Sequence, residues 1–194
     1  MGSETLQLDE SSQSVEKLQI TRVRFYISNI QLLKNGKVVA TEKDSYHLID
    51  ASDKSSLSMA IPVKSKIDYD EIFFLLGIDS LTNFSGVMGG DLDPTKGMYW
   101  AWNSGYINFK LEGKSPLCET RNNEFSFHLG GYSAPYPSYQ IIKLAVKKSN
   151  QLTIKVDFAQ FLEQIDLAKQ TKVMSPGKLA QDLSIQVAKL FSVQ

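Results

Sequence analysis

Cysteine is almost absent from this sequence of 194 residues, which contains only Cys118. A single cysteine cannot form an intramolecular disulfide, so cysteine usage points to no particular compartment. No apolar run reaches the ~18 residues that a membrane-spanning helix needs. Neither sign of charge is in excess, since 21 acidic residues balance 21 basic ones. Without a basic stripe, neither nucleic acid nor an anionic membrane surface is expected as a partner.

The common sequence motifs of enzymes are missing as well. The chain has no G-x-S-x-G, no H-E-x-x-H, no phosphate-binding loop and no dinucleotide fingerprint. Cys118 lies in a polar stretch and has no base beside it in the sequence. We therefore predict that the protein is not an enzyme.

The composition is that of an ordinary globular protein, with 42% apolar and 22% charged residues. A chain of this length can bury a sizeable core in one unit. The sequence contains no internal repeat, low-complexity tract or interdomain linker. We predict a single domain over residues 1–194.

Most of the chain shows the alternation or the short apolar runs of β-strands. Strands are predicted at residues 5–8, 18–33, 37–40, 46–50, 56–62, 67–77, 106–111, 124–129, 140–147 and 151–156. Ser28 and Asn29 interrupt the longest of these strands and predict a bulge. Asn35 and Gly36 predict a hairpin turn. We expect the strand at 151–156 to pair with the preceding one across a turn at 149–150.

The last forty residues have a helical pattern instead. Asp157 is positioned to cap a short helical turn, and Ser175 and Pro176 predict a helix start with serine as the N-cap. Apolar residues then recur at helical spacing to about Phe191. Because strands greatly outnumber helices, we predict a mainly β fold, an antiparallel β-sandwich with a C-terminal helix.

Residues 89–112 form the most unusual stretch of the chain. A glycine-rich polar turn at 89–97 precedes both tryptophans of the protein, Trp100 and Trp102. A second break at 103–105 leads into the predicted strand at 106–111. This stretch is therefore expected to be a structured loop that feeds a half-buried strand.

The motifs DLDP at 91–94 and GMYWAWNSGY at 97–106 resemble the signature of the MbnP-like family. The members are extracytoplasmic copper-binding proteins associated with methanobactin operons, together with their relatives. Similar segments extend the resemblance over roughly residues 5–192: FYISNI at 25–30, YHLID at 46–50, GID at 77–79 and FHLGG at 127–131. The resemblance implies a periplasmic or outer-surface location, although residues 1–4 are not those of a secretory signal. We expect that such a signal has been removed.

The resemblance also implies copper. Copper sites in the family are understood to combine histidines with a tryptophan that a di-haem partner enzyme of the cytochrome c peroxidase type oxidises to kynurenine. The candidate ligands are the two histidines, the two tryptophans and the methionine beside them: His128, His47, Trp100, Trp102 and Met98. Imidazole nitrogen and thioether sulfur are both suitable donors for copper.

Each candidate has a simpler interpretation that stays open. His128 alternates with Phe127 and Leu129, so it is predicted on the outer face of its strand, where it could be merely exposed or hydrogen-bonded. The tryptophans could share one face and pack as bulky aromatics that anchor the loop. If a site is retained, Trp100 and Trp102 should lie in contact with His128.

The sequence departs from the copper-binding relatives in two ways. Those relatives place histidine close to the tryptophans, where this chain has Tyr99 and Ala101. A cysteine-rich variant of the family has four cysteines, where this chain has one. We therefore expect copper affinity to be absent or much weaker than in the copper-binding relatives.

Two other functions are compatible with the residues. Asp79, Asp91 and Asp93 supply hard oxygen donors that suit Ca²⁺, but they lack the spacing of a calcium loop and also suit aspartate-stabilised turns. A second possibility is a recognition module without metal, which would bind a peptide, glycan or protein through the tyrosine- and proline-rich loop at 132–139. An exposed cluster of Tyr132, Tyr136 and Tyr139 would favour this function. Neither possibility specifies an oligomeric state.

Overall fold

The computed structural model describes residues 18–62, 67–147, 149 and 151–194. The predicted strand at 5–8 lies outside these residues. The strands are β1 Gln19–Lys34, β2 Lys37–Thr41, β3 Tyr46–Asp50, β4 Glu71–Leu76, β5 Tyr99–Trp100, β6 Gly105–Lys114, β7 Glu124–Gly130, β8 Gln140–Ala145, β9 Ile154–Val156, β10 Lys172–Val173 and β11 Phe191–Val193. The helices are α1 Ser80–Phe84, α2 Phe158–Glu163 and α3 Lys178–Ala188. Short 3-10 turns occupy Lys54–Leu57, Gly90–Leu92 and Pro94–Lys96.

The main sheet is curled and has the order β10-β7-β6-β1-β4-β8. Strands β2 and β3 pair with β1, β5 pairs with β6, and β9 and β11 form a separate two-stranded sheet. Pairing is antiparallel except between β10 and β7. The prediction of a mainly β, sandwich-like fold with a C-terminal helix is confirmed.

A bend in β1 curls the main sheet. Asn29 has a φ of 54°, and the register with β4 shifts between Ser28 and Gln31. Strand β6 pairs with β1 as far as Phe25, and β4 takes over from Ile27. The predicted bulge is therefore confirmed, and it lets one long strand belong to two layers.

The two faces of the sheet bury different clusters. The larger core contains residues of β1, β6 and β7 such as Phe25, Phe109 and Phe127, and helices α2 and α3 cover it. The smaller cluster lies on the other face and consists of Tyr26, Leu48, Ile78, Leu92, Met98, Trp100, Tyr106 and Ile107. The second face is thus not open to solvent, because a loop packs on it.

Several local predictions are wrong. Residues 56–62 do not form a strand: the side chain of Asp53 accepts a hydrogen bond from the Ser55 backbone N–H and starts a 3-10 turn. Helix α3 begins at Lys178 rather than after Ser175, and Gly177 is its N-cap with a φ of 148°.

The end of the chain also pairs differently from the prediction. Phe191 does not end the helix but opens β11, where it lies opposite Val156 of β9. Strand β8 pairs with β4, so β9 does not continue a hairpin from β8. None of the helices in the described ranges is both long enough and apolar enough to cross a membrane.

Candidate functional site

The stretch that carries both tryptophans folds into a compact loop, here called the signature loop, residues 89–105. Asp93 accepts a 2.8 Å hydrogen bond from the Thr95 backbone N–H and caps the turn that begins at Pro94. Gly97 ends that turn with a φ of 70°, which glycine adopts without strain. Asp79 caps α1 in the same way through the Thr82 N–H. Both aspartates therefore act as turn-stabilising caps.

Polar contacts hold the signature loop on the second face of the sheet. Asp91 accepts hydrogen bonds from the Leu48 backbone N–H at 3.0 Å and from Nζ of Lys96 at 2.6 Å. Arg24 donates to the Lys96 carbonyl at 2.9 Å, and Lys110 donates to the Gly97 carbonyl. Burial alone would raise the pKa of Asp91, but the bonds from Lys96 and Leu48 outweigh it and hold that pKa below its ordinary value.

The residues beside the turn occupy very different environments. Met98 is fully buried in the smaller cluster, and Trp100 is buried beside it. Trp102 follows in a tight turn and is 64% exposed, with its ring centroid 5.5 Å from that of Trp100. The interpretation of the tryptophans as bulky aromatics that anchor the loop therefore fits the buried Trp100, whereas Trp102 packs against Trp100 but stays largely exposed. The chain leaves the strand after Trp100, and this turns the second indole outwards.

Trp100 lies directly over the end of β7. A Cβ added to Gly130 would stand 2.6 Å from Cζ3 of Trp100, so only glycine admits the indole at this distance. Gly130 and His128 are two residues apart on one strand and point to the same face. The structure thus brings Trp100 to the neighbourhood of His128, and direct contact between the two side chains stays a prediction.

His128 is buried and hydrogen-bonded rather than exposed, which is the second of the two simpler interpretations of its place on the strand. Its side chain is only 9% exposed, and its Nε2 lies 2.7 Å from Oε1 of Glu112 on β6. The strand alternation gave the correct face, but that face is covered. Its neighbours Lys110 and Gly130 lie beneath the signature loop, and the loop residues are too far away in sequence for alternation to reveal this.

A small charged network surrounds His128. Arg22 lies 3.2 Å from Oε2 of Glu112, and register places Lys110 opposite His128. The hydrogen bond from His128 lowers the pKa of Glu112 below its ordinary value. Burial lowers the pKa of Lys110, because the ammonium has little contact with water. Within this network Lys110 reaches the signature loop, through the Gly97 carbonyl.

His47 has its own carboxylate partner at a separate place. Its Nε2 lies 2.8 Å from Oε2 of Glu42, which also accepts a hydrogen bond from Ser45 at 2.5 Å. His47 lines a cavity of about 540 Å³ between β3 and the signature loop. The charged groups in its wall are Arg24, Asp50, Asp53, Asp91 and Lys96.

The two histidines do not meet in a common site. His128 is on β7 and His47 is on β3, with β6 and β1 between them. Three strand spacings correspond to on the order of 14 Å, whereas the donors of one metal ion lie within a few ångströms of each other. The described part of the chain contains no group of three or more His, Cys, Asp or Glu residues arranged to hold a metal. As placed, His47 and His128 do not fit a shared copper site.

Sequence reasoning missed the polar character of this face. Arg24 pairs with Asp50 at 2.7 Å across β1 and β3, and both side chains line the cavity. A signal was available: Arg22 and Arg24 alternate with core residues in β1, just as Lys110 and Glu112 do in β6. Two adjacent strands with this pattern indicate a charged layer beneath a cover.

The tyrosine- and proline-rich loop is partly tied down. Only Tyr136 is exposed, whereas Tyr132 and Tyr139 are half-buried. Ser80 of α1 donates a 2.7 Å hydrogen bond to the Tyr132 carbonyl and lies 3.4 Å from the Tyr139 hydroxyl. The three tyrosines therefore do not form the exposed cluster that would favour recognition through this loop.

Comparison with known proteins points to one family. The MbnP family model matches residues 1–175. A solved structure, MbnP from Methylosinus trichosporium, superposes with a TM-score of 0.56 at 14% sequence identity, and the match covers 84% of this chain and 72% of that one. At this identity the likeness concerns the fold alone. No curated protein matches the chain.

Proposed function

The chain belongs to the MbnP family, and we propose that it is an exported protein of copper handling whose metal site has degenerated. The observation that supports this proposal is the state of its two histidines. Each is hydrogen-bonded to its own glutamate, His128 to Glu112 and His47 to Glu42, on strands separated by two others. Stable copper coordination needs roughly two to four nitrogen or sulfur donors at one point.

His128 is the residue at which we expect any residual copper to bind. It shares a strand face with Gly130, over which Trp100 of the signature loop packs, and neutral imidazole is a suitable copper ligand. A metal at Nε2 would have to displace the bond to Glu112, which costs free energy before any coordination is gained. Met98 is fully buried among Tyr26, Leu92 and their neighbours, so its thioether is not free to move to an ion. Copper affinity is accordingly absent or much weaker than in the copper-binding relatives.

The same proposal includes a partner. In the family this would be a di-haem enzyme of the cytochrome c peroxidase type that oxidises a tryptophan to kynurenine. Trp100 and Trp102 are the two candidates, and Trp102 is the accessible one. Peptide mapping by mass spectrometry on protein from its native host tests this: a mass change confined to the Trp102 peptide supports the partner, and unmodified tryptophans in fully exported protein contradict it.

Metal analysis of the same native protein tests the degenerate site. We expect well below one copper per chain after removal of loosely bound ions. One copper per chain would contradict the proposal. Recovery of the protein in the periplasmic or outer-surface fraction tests the export that family membership implies, and recovery in the cytoplasmic fraction would contradict it. In this proposal the protein is not an enzyme.

A further inference from the structure

Helix α1 has the reverse of the usual amphipathic arrangement of a surface helix. It buries its polar residues Thr82 and Asn83 and exposes its apolar residues, Leu81 at 76% and Phe84 at 82%. Surface helices normally turn the apolar side inwards. The helix is instead held by Asn83, which donates to the Ile78 carbonyl at 2.9 Å and accepts from the Tyr106 N–H at 2.8 Å.

Other exposed apolar side chains surround this helix. Val87 and Met88 are exposed in the segment that follows the helix, and the Tyr106 hydroxyl accepts a hydrogen bond from the Met88 N–H. Trp102 precedes the same end of β6. We call the set Leu81, Phe84, Val87, Met88 and Trp102 the apolar end surface. Exposed apolar side chains gathered at one end of a sheet in this way often mark an interaction site.

The apolar end surface contains no charged residue, and the residues that line the adjoining cavity are also uncharged. Residues 80–90 and 97–109 contain no Asp, Glu, Lys or Arg. The cavity has a volume of about 250 Å³, and its wall includes Asn103, Tyr132, Pro135, Tyr136 and Pro176. The Ser80–Tyr132 hydrogen bond fixes α1 beside this wall. The exposed apolar side chains and a cavity lined by uncharged residues therefore lie side by side.

We propose that a second copy of this chain docks on the apolar end surface and forms a two-fold dimer. In such a dimer the same patch of both copies forms the interface, and every contact occurs twice, related by the two-fold axis. Phe84 of one copy enters the neutral cavity of the other, while the second copy does the same in return. A cavity of about 250 Å³ accommodates one aromatic side chain. This inference does not depend on copper.

Charge and area are both compatible with a second copy as the occupant, and the lack of charge disfavours an anionic membrane. A charged patch would repel its own copy, whereas this one carries no ionic groups in residues 80–90 and 97–109. Because the patch also lacks Lys and Arg, it has no electrostatic attraction to anionic lipids. Phe84 and Trp102 together expose on the order of 300 Å². With three aliphatic side chains and the cavity rim, the surface approaches the ~800 Å² per partner of a stable interface.

Sedimentation equilibrium of the wild-type protein over the micromolar range tests the proposal. We expect twice the chain mass of 21.7 kDa and at least a ~30-fold weaker dimer when Leu81 and Phe84 are both replaced by Ser, since buried anchors carry most of the binding energy. Tyr136→Arg, which places a charge in the cavity wall, should weaken the dimer as well. Leu117→Ser is the matched control, because Leu117 is 62% exposed and lies beyond the opposite end of β6.

Far-UV circular dichroism checks that each variant is folded. A wild-type protein that stays monomeric at the highest concentration would overturn the proposal, as would a dimer unaffected by the double substitution. Flotation of a monomeric protein with neutral phosphatidylcholine vesicles would assign the apolar end surface to a membrane instead and would equally overturn it. Loss of the dimer in Leu117→Ser would place the interface elsewhere.

Discussion

The Nε2 atom of His128 lies 2.7 Å from Oε1 of Glu112, and the pair bridges the neighbouring strands β7 and β6. The side chain of His128 is almost wholly excluded from solvent, so water cannot replace this bond if it is lost. Arg22 occupies the second oxygen of the same carboxylate. The residue that the family resemblance implies as a metal ligand is thus already hydrogen-bonded to a carboxylate that Arg22 also contacts.

Replacing His128 with alanine should therefore destabilise the fold. Loss of a buried hydrogen bond and of its packing is expected to cost about 1–3 kcal/mol of unfolding free energy. His128→Gln retains an N–H donor and should recover part of that loss. Denaturant unfolding at pH 7 measures both variants. A cost near zero for His128→Ala would mean that the ring is exposed, as strand alternation alone suggests.

Glu112 should make the protein sensitive to acid. Its pKa lies below its ordinary value of 4.5 because His128 and nearby cations favour the ionised form. The stability that this carboxylate contributes is complete above about pH 4.5 and is lost as the pH falls through its lowered folded-state pKa.

The test compares wild type with Glu112→Gln, because other carboxylates with lowered pKa values, such as Asp50 and Asp91, titrate in the same range. Denaturant unfolding between pH 7 and pH 3 should show a shallower acid loss for the variant. Parallel pH profiles for the two proteins would rule out a stabilising role for the ionised Glu112.

Gly130 should not tolerate a side chain. A Cβ at this position would meet Cζ3 of Trp100 at 2.6 Å and the Tyr106 carbonyl oxygen at 2.8 Å. Gly130→Ala should therefore cost about 1–3 kcal/mol and shift the tryptophan fluorescence as the indole is displaced. Gly89→Ala is the matched control, since Gly89 has a φ of −92° and free space around it. Equal stabilities of the two variants would contradict the placement of Trp100.

Asn83 should contribute strongly to stability, because its side chain holds α1 against β6. It is buried, it donates to the carbonyls of Ile78 and Asp79, and it accepts from the Tyr106 N–H. Asn83→Ala leaves that N–H without a partner and should cost about 2 kcal/mol or more. Ser85→Ala removes only an exposed hydroxyl bond to the Leu81 carbonyl and should change stability little. Unfolding curves of the two variants that coincide would show that Asn83 does not fasten the helix.

Local patterns predicted local structure well. The Asn35-Gly36 hairpin and the break at Ser28-Asn29 were correct, because each rests on backbone preferences of the residues themselves. The helical turn after Asp157 was correct for the same reason, since the Asp157 side chain accepts from the Gln160 N–H.

Long-range partners could not be predicted in this way. Nothing in residues 151–156 specifies that β9 pairs with β11, some forty residues away, rather than with β8. The burial of His128 likewise depends on a loop that approaches it only in three dimensions. At Ser175 and Pro176 a local signal was misread, because Gly177 with its positive φ delays the helix. The fold class was therefore predictable from the sequence, and the environment of the candidate site was not.

Titration of the recombinant protein with Cu(I) in the presence of a competing chelator tests the central claim most directly. We predict no binding that withstands a strong chelator, and loss of any weaker binding in His128→Ala. His47→Ala is the companion variant, because His47 lies on a separate strand with its own glutamate partner. Tight binding of one Cu(I) per chain that persists in His128→Ala would contradict both the proposed location of the site and its degeneration.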